Sequence, residues 1–253
     1  MFCKRMPSSK ERRMRLLQDD HLSDCQFLVG DPACEEPRLF HCHKMILATA
    51  SEVFERMFYS EFDIVGPIRI TEVGPKSFEH FLRYVYIYEI ESEQLLPSTS
   101  TISELFYLAD KYMMQDLIDE IVEYLKCKHN WTSDDVWLIF DLACLHENLP
   151  LILLCYEKLL KNTILLLIND GFYQLNVNHL KRLVIFLSKQ PQISTNLIFK
   201  YLEEYGRRNA LHKNRKSEKF HKLVDAACHL DFNKLSIIDL ESGPGASYIF
   251  NNQ

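Results

Sequence analysis

Residues 24–62 constrain the fold most: DCQFLVGDPACEEPRLFHCHKMILATASEVFERMFYSEF. Cys25-Gln26-Phe27-Leu28-Val29 is a short apolar run suited to a buried strand, and Gly30, Asp31 and Pro32 break it. Residues 38–42 resume in extended form. The period then changes to a helical one, with Met45, Ile46, Ala48 and Thr49 close together. Ser51 can accept hydrogen bonds from the first free amides of a second helix, whose Val53, Phe54, Met57 and Phe58 share one face. The segment thus reads as strand, loop, strand and two short helices within 39 residues.

Further along, Gly66-Pro67 precedes an alternating strand, Ile68-Arg69-Ile70-Thr71. Gly74-Pro75 opens a helix on which Phe78, Phe81, Leu82, Val85 and Tyr88 recur at helical spacing. After a polar break over 91–100, Thr101 and Glu104 have capping-box spacing ahead of a helix over 102–110. Leu117, Ile118, Ile121, Val122 and Leu125 mark the next helix. Beyond 127–131 nearly every segment has helical period. Thr132 and Asp135 cap a helix over 136–146. Helices over 151–160 and 163–169 end at Asp170-Gly171. Asn176 or Asn178 caps 180–187, and stripes on Leu197, Ile198, Tyr201, Leu202 and on Phe220, Leu223, Val224, Ala227, Leu230 follow. Gly243-Pro244-Gly245 breaks order ahead of a short tail.

Asp24, His43-Lys44, Leu47-Ala48, Ser51-x-x-Phe54 and Ala109-x-x-Tyr112 stand in the order and spacing of the BTB/POZ domain, which this stretch resembles. The helical remainder looks like a BACK domain, without a recognisable kelch or other substrate module. The resemblance implies an α+β chain. A segment over 1–19 holds a dimerisation helix. A BTB/POZ fold over 20–127 has a small sheet flanked by helical hairpins. An all-α BACK-like bundle covers 128–240, and a tail 241–253. It also implies a homodimeric interaction adaptor that performs no chemistry of its own. Such an adaptor binds cullin-3, recruits an unknown protein substrate for ubiquitin transfer, and pairs with itself or with related BTB proteins.

By that resemblance, Met14, Leu16, Leu17, His21, Leu22, Asp24 and Lys44 belong to the dimer seam, the last two as a charged pair. Phe58, Tyr59, Phe62, Asp63, Lys111, Tyr112, Met113 and Met114 would take the cullin helix. The family's apolar-x-Glu triplet is here Phe62-Asp63-Ile64, with isoleucine in place of the glutamate. A dimeric scaffold that binds no ligase is therefore the alternative. On the residues alone, the opening helix (Ser8 with Glu11 as capping box, spanning 10–19) has only Met14, Leu16 and Leu17 as an apolar stripe. That is too thin to hold a helix in water unaided. It packs either on its own domain or on a second copy.

Bulk properties narrow the function classes. A net charge of -6 argues against general affinity for polyanions. Seven glycines in 253 residues leave little for phosphate-cradling loops. The first residues lack an apolar signal core, and no uninterrupted apolar run approaches the roughly 18–20 residues that span a bilayer. The expectation is a soluble intracellular chain, cytoplasmic with nuclear import left open, making no contact with membrane or nucleic acid. Its eight cysteines are expected as reduced thiols. His41-Cys42-His43 lacks the paired short spacing of a structural zinc site. Cys144-Leu145-His146 and Cys228-His229 put their side chains on different helix faces, and no nucleophile elbow occurs, so neither a cofactor nor an enzyme activity is expected. The basic run 207–216 reads as an import signal, a phosphate-contacting patch or a solvated loop between helices.

Overall fold

The computed structural model describes residues 7–20, 22–33, 36–60, 65–88, 98–127 and 131–251. The chain divides into two compact units, 1–128 and 129–253. Among the described residues no helix is long and apolar enough to cross a membrane.

In the first unit, helix α1 (Ser9–Gln18) begins at a complete capping box. Ser8 Oγ accepts from the Glu11 N–H at 3.2 Å, and Glu11 accepts from the Ser8 N–H at 2.5 Å. Strand β1 (Cys25–Val29) is the centre of a three-stranded sheet ordered β2-β1-β3. Strand β2 (Arg38–Cys42) runs antiparallel to it, and β3 (Ile68–Ile70) parallel, so that Phe27 faces both Phe40 and Ile68. Both strand spans of the 24–62 segment fall where the apolar pattern puts them, because Phe27, Val29, Phe40 and Cys42 alternate onto one buried face. Helices α2 (Lys44–Ala50), α3 (Glu52–Tyr59), α4 (Pro75–Ile87), α5 (Thr99–Lys111) and α6 (Gln115–Cys127) complete the unit. The helix over 10–19 lies against α4 of its own chain, yet none of its residues is fully buried.

Ser51 caps α3 as its position implies, accepting from the amides of Val53 and Phe54. The same hydroxyl donates to the Tyr112 carbonyl at 2.6 Å, which ties the α2–α3 corner to the end of α5. One expected cap fails. Helix α5 starts at Thr99, and Ser98, not Thr101, accepts the capping hydrogen bond. Glu104 instead accepts from the Gly74 amide at 2.9 Å, so it closes the α4 N-terminus thirty residues away.

The second unit is helical: α7 (Ser133–Leu145), α8 (Leu149–Lys161), α9 (Thr163–Leu167), α10 (Asp170–Gln174), α11 (Val177–Ser188), α12 (Thr195–Arg208), α13 (Glu218–Ala227) and α14 (Ile237–Ser242). Thr132 and Asp135 form the expected capping box. Trp137 of α7 donates Nε1–H to the Leu166 carbonyl at 3.0 Å, and His179 Nδ1 bonds Asp141 between α11 and α7. Helix α9 ends at Leu167, ahead of Asp170-Gly171, and that pair opens α10. Asn169 accepts from the Gly171 amide and caps α10. The segment beyond Gly245 is also no loose tail: Ile249 is buried, Tyr248 donates to the Glu203 carbonyl at 2.7 Å, and Phe250 stacks on Phe199.

The run 207–216 is a helix end followed by a 3₁₀ turn at Leu211–Lys213. Arg208 lies 3.9 Å over the Tyr173 ring and bonds Asp170 and Glu204, Arg207 pairs with Glu203, and Arg215 covers Phe220. These cations serve the fold's own surface.

Candidate interaction surfaces

Two surfaces of the first unit carry the residues singled out for partner binding. At the first, Met14, Leu16 and Leu17 of α1 are each half-buried. Leu22 is 69% exposed and has a left-handed backbone at φ 66°. A leucine in that conformation is strained, and most of its side chain is left in water. His21 lies outside the described residues.

Asp24 and Lys44 come together, though not as two opposed side chains. Asp24 Oδ1 accepts from the Lys44 backbone N–H at 2.7 Å. His43, the residue before α2, makes no side-chain cap of its own, so Asp24 caps α2 from the edge of β1. Lys44 Nζ sits 6.0 Å from the Phe58 ring centre. Together with Cys25, Gln26 and Ile68 these residues line a pocket of about 330 Å³. His43 turns inward, with Nδ1 2.7 Å from the Tyr86 hydroxyl, which also accepts from the His43 amide at 3.1 Å. Neighbouring Cys42 is fully buried as an apolar residue. Among the described residues no cluster of three or more His, Cys, Asp or Glu could hold a metal ion.

The second surface runs from the end of α3 to the turn after α5. Tyr59 is 60% exposed, whereas Phe58 packs under Phe54 and Phe27. In the turn, Met113 adopts φ 51°. The Met114 amide reaches back to the Ala109 carbonyl at 2.7 Å, the pattern of a helix C-cap that glycine usually fills. That geometry ejects Met113, 72% exposed, and turns Tyr112 and Met114 into the core. Tyr112 stacks on Phe54 at 4.0 Å. Of the six described residues expected to meet cullin, Tyr59, Lys111 and Met113 are therefore on the surface, Phe58 is half-covered, and Tyr112 and Met114 support from beneath. Phe62 and Asp63, with Ile64, fall outside the described residues.

Glu72 is a participant that the sequence does not disclose. It receives Lys111 Nζ at 2.9 Å and the Tyr107 hydroxyl at 3.2 Å, fixing the last turn of α5 beside Met113. The Lys111 ammonium hydrogen-bonded to it holds the Glu72 carboxyl down at about 2, from an ordinary 4.5. A depressed carboxylate stabilises the fold fully above its unfolded value and loses that contribution as pH falls through its folded value. The contribution is complete above about pH 4.5 and disappears toward pH 2. Both side chains are about one-third or more exposed, so solvent screening limits the effect to about 1 kcal/mol. Glu72→Gln should flatten the acid limb of a stability–pH curve by that amount while leaving Tm at pH 2 unchanged.

The BTB/POZ domain model matches residues 14–129. The human BTB/POZ domain-containing protein 3 is 29% identical over 179 residues, covering 70% of this chain and 33% of its own length. BTB/POZ domain-containing protein 6-B of Danio rerio is 28% identical over 176 residues, 69% of this chain and 35% of its own. The chain thus spans about a third of the length of the curated relatives it matches. Among solved structures, the BTB domain of zebrafish PATZ1 aligns over its whole length with 50% of this chain, at 22% identity and a TM-score of 0.35. The matched residues take in the sheet, the Asp24 cap on α2 and the Ser51–Tyr112 corner described above: residues 14–129 of this chain are a BTB/POZ domain.

Proposed function

We propose that the chain is a homodimeric adaptor that brings a protein substrate to cullin-3. BTB/POZ domains mediate protein–protein interaction, homodimers included. In this reading α1 and Leu22 pair with a second copy, the α3–α5 edge meets the cullin N-terminal domain, and the helical unit 129–253 is a BACK-like substrate arm. The adaptor acts by raising effective concentration, with no bond made or broken on this chain. The observation that carries the proposal is α1: a well-capped helix whose Met14, Leu16 and Leu17 are only half-covered by its own chain, followed by an exposed, strained Leu22. Apolar surface of that kind is stabilised by burial against a partner.

Light scattering of the full chain at micromolar concentration should give twice the 29.9 kDa chain mass. Leu17→Asp should weaken association at least about 100-fold while each chain stays folded, because Leu17 is only half-buried in its own unit. A wild-type monomer would remove the dimer reading. For cullin binding, Met113→Gly is the informative substitution. Glycine suits the left-handed position, so the fold is kept or slightly stabilised while the projecting side chain is lost. Calorimetry against the purified cullin-3 N-terminal domain should show weaker binding.

A second reading, a dimeric scaffold without a ligase, is favoured by Ile64 standing where the family has glutamate. If the wild type fails to bind cullin-3 and Ile64→Glu binds it, the scaffold reading holds.

A further inference from the structure

Cys25 and Cys42 are register partners across the antiparallel β1–β2 pair. Directly opposed residues in such a pair have Cα atoms about 4.5–5.5 Å apart, inside the roughly 4.4–6.8 Å range that a disulfide needs. Both side chains lie on the same face of the sheet, the one that also buries Phe27 and Phe40, because alternation puts 25 with 27 and 42 with 40. Both are free thiols, close enough that a charge on one raises the pKa of the other. Their exposure differs. Cys42 is fully buried, whereas Cys25 is half-buried and lines the pocket shared with Asp24, Lys44 and Phe58.

We propose that Cys25 and Cys42 form a reversible cross-strand disulfide under peroxide, with Cys25 as the thiol oxidised first and Cys42 as the resolving one. The Cys25 thiolate takes the terminal oxygen of hydrogen peroxide: an S–O bond forms, the O–O bond breaks, and hydroxide leaves as water after protonation. Cys42 sulfur then attacks the Cys25 sulfenic acid. An S–S bond forms, the S–O bond breaks, and a second water leaves with the Cys42 proton. Each sulfur gives up one electron and the peroxide accepts two. The bridge fastens the end of β2 to the start of β1, next to the two positions through which Asp24 caps α2. Burial pushes the Cys25 thiol up to about 12. The thiolate is therefore scarce at neutral pH, and the reaction should speed up about tenfold per pH unit between about pH 7 and 9.

The test is peptide mapping of the full chain after hydrogen peroxide treatment and alkylation under denaturing conditions. The expected result is a linked pair of peptides containing Cys25 and Cys42, two hydrogens lighter than their sum and separated by reductant. In Cys42→Ala, Cys25 has no resolving partner and should accumulate as sulfinic acid at a peroxide dose that leaves the wild type only disulfide-bonded. A wild-type chain in which Cys25 is over-oxidised while Cys42 remains alkylatable overturns the proposal. So does one in which Cys25 links mainly to Cys127 or Cys228, both exposed thiols.

Discussion

Phe54→Ala should destabilise the BTB/POZ unit by about 3–5 kcal/mol, the cost of truncating a fully enclosed ring. Phe54 touches four other aromatic side chains: Phe27 edge-on at 6.0 Å, Phe58 stacked at 6.0 Å, Phe81 at 6.3 Å and Tyr112 stacked at 4.0 Å. These belong to the sheet, α3, α4 and the cap of α5, so no single element can move in to fill the space. The resulting cavity adds to the lost transfer free energy. With total stabilities commonly about 5–15 kcal/mol, such a loss would leave a measurable unfolded population. Phe58→Ala is the control. Its ring is half-exposed, and about 1–2 kcal/mol is expected. Urea unfolding of both variants measures the difference. Equal costs would mean that the ring cluster is not organised around Phe54. The substitution also bears on partner binding, because Tyr112 stacks directly on Phe54 and holds the turn that projects Met113. Under the proposed adaptor role, affinity for the cullin-3 N-terminal domain should fall with stability in Phe54→Ala and independently of it in Met113→Gly.

Local chemistry is legible where one stretch of chain decides the outcome. The strand at 25–29 follows from a short apolar run broken at Gly30, the Ser51 cap from a hydroxyl ahead of an apolar helical face, the Thr132 cap from its spacing to Asp135, and the α4 start from Gly74-Pro75. Glu104 shows where this stops. Its spacing from Thr101 fits a capping box, but the carboxylate satisfies a distant amide at Gly74, and Ser98 takes over the cap. Spacing along the chain cannot rank two acceptable partners when one of them arrives only on folding. Lys111 and Glu72 illustrate the same point, since nothing in either segment foretells a 2.9 Å ion pair. At the candidate surface, the residue types are legible and their directions are not. The side chains of 111–114 divide between solvent and core because Met113 is left-handed, a state that sequence reading associates with glycine. Asp24 is legible as a partner of position 44, but its partner atom is the backbone amide.

The C-terminal segment escapes sequence reading for a related reason, and it sets up the second large effect. Gly243-Pro244-Gly245 looks like the end of ordered chain, yet Tyr248 lies across α12 at Gly206. A Cβ added to Gly206 would overlap the Tyr248 hydroxyl oxygen and stand 2.6 Å from a Leu223 methyl. Alanine in place of a glycine inside a helix ordinarily stabilises by up to about 1 kcal/mol, and Gly206 lies in the last turn of α12. Here the sign should reverse. Tyr248 must leave its bond to the Glu203 carbonyl, and it carries with it the burial of Ile249 and the Ser247 hydrogen bond to Glu203. A net loss of about 2–4 kcal/mol is expected for Gly206→Ala. The mechanism is separable from helix propensity by a double-mutant cycle with Tyr248→Ala. Once the phenol is absent, the new methyl group at position 206 loses its tightest clash, and the 2.6 Å approach to the Leu223 methyl remains. Much of its cost should then vanish, giving a coupling of about 1–3 kcal/mol. Additive losses would mean that the clash with Leu223 or the helix itself excludes a side chain at 206, and not the segment packed against it.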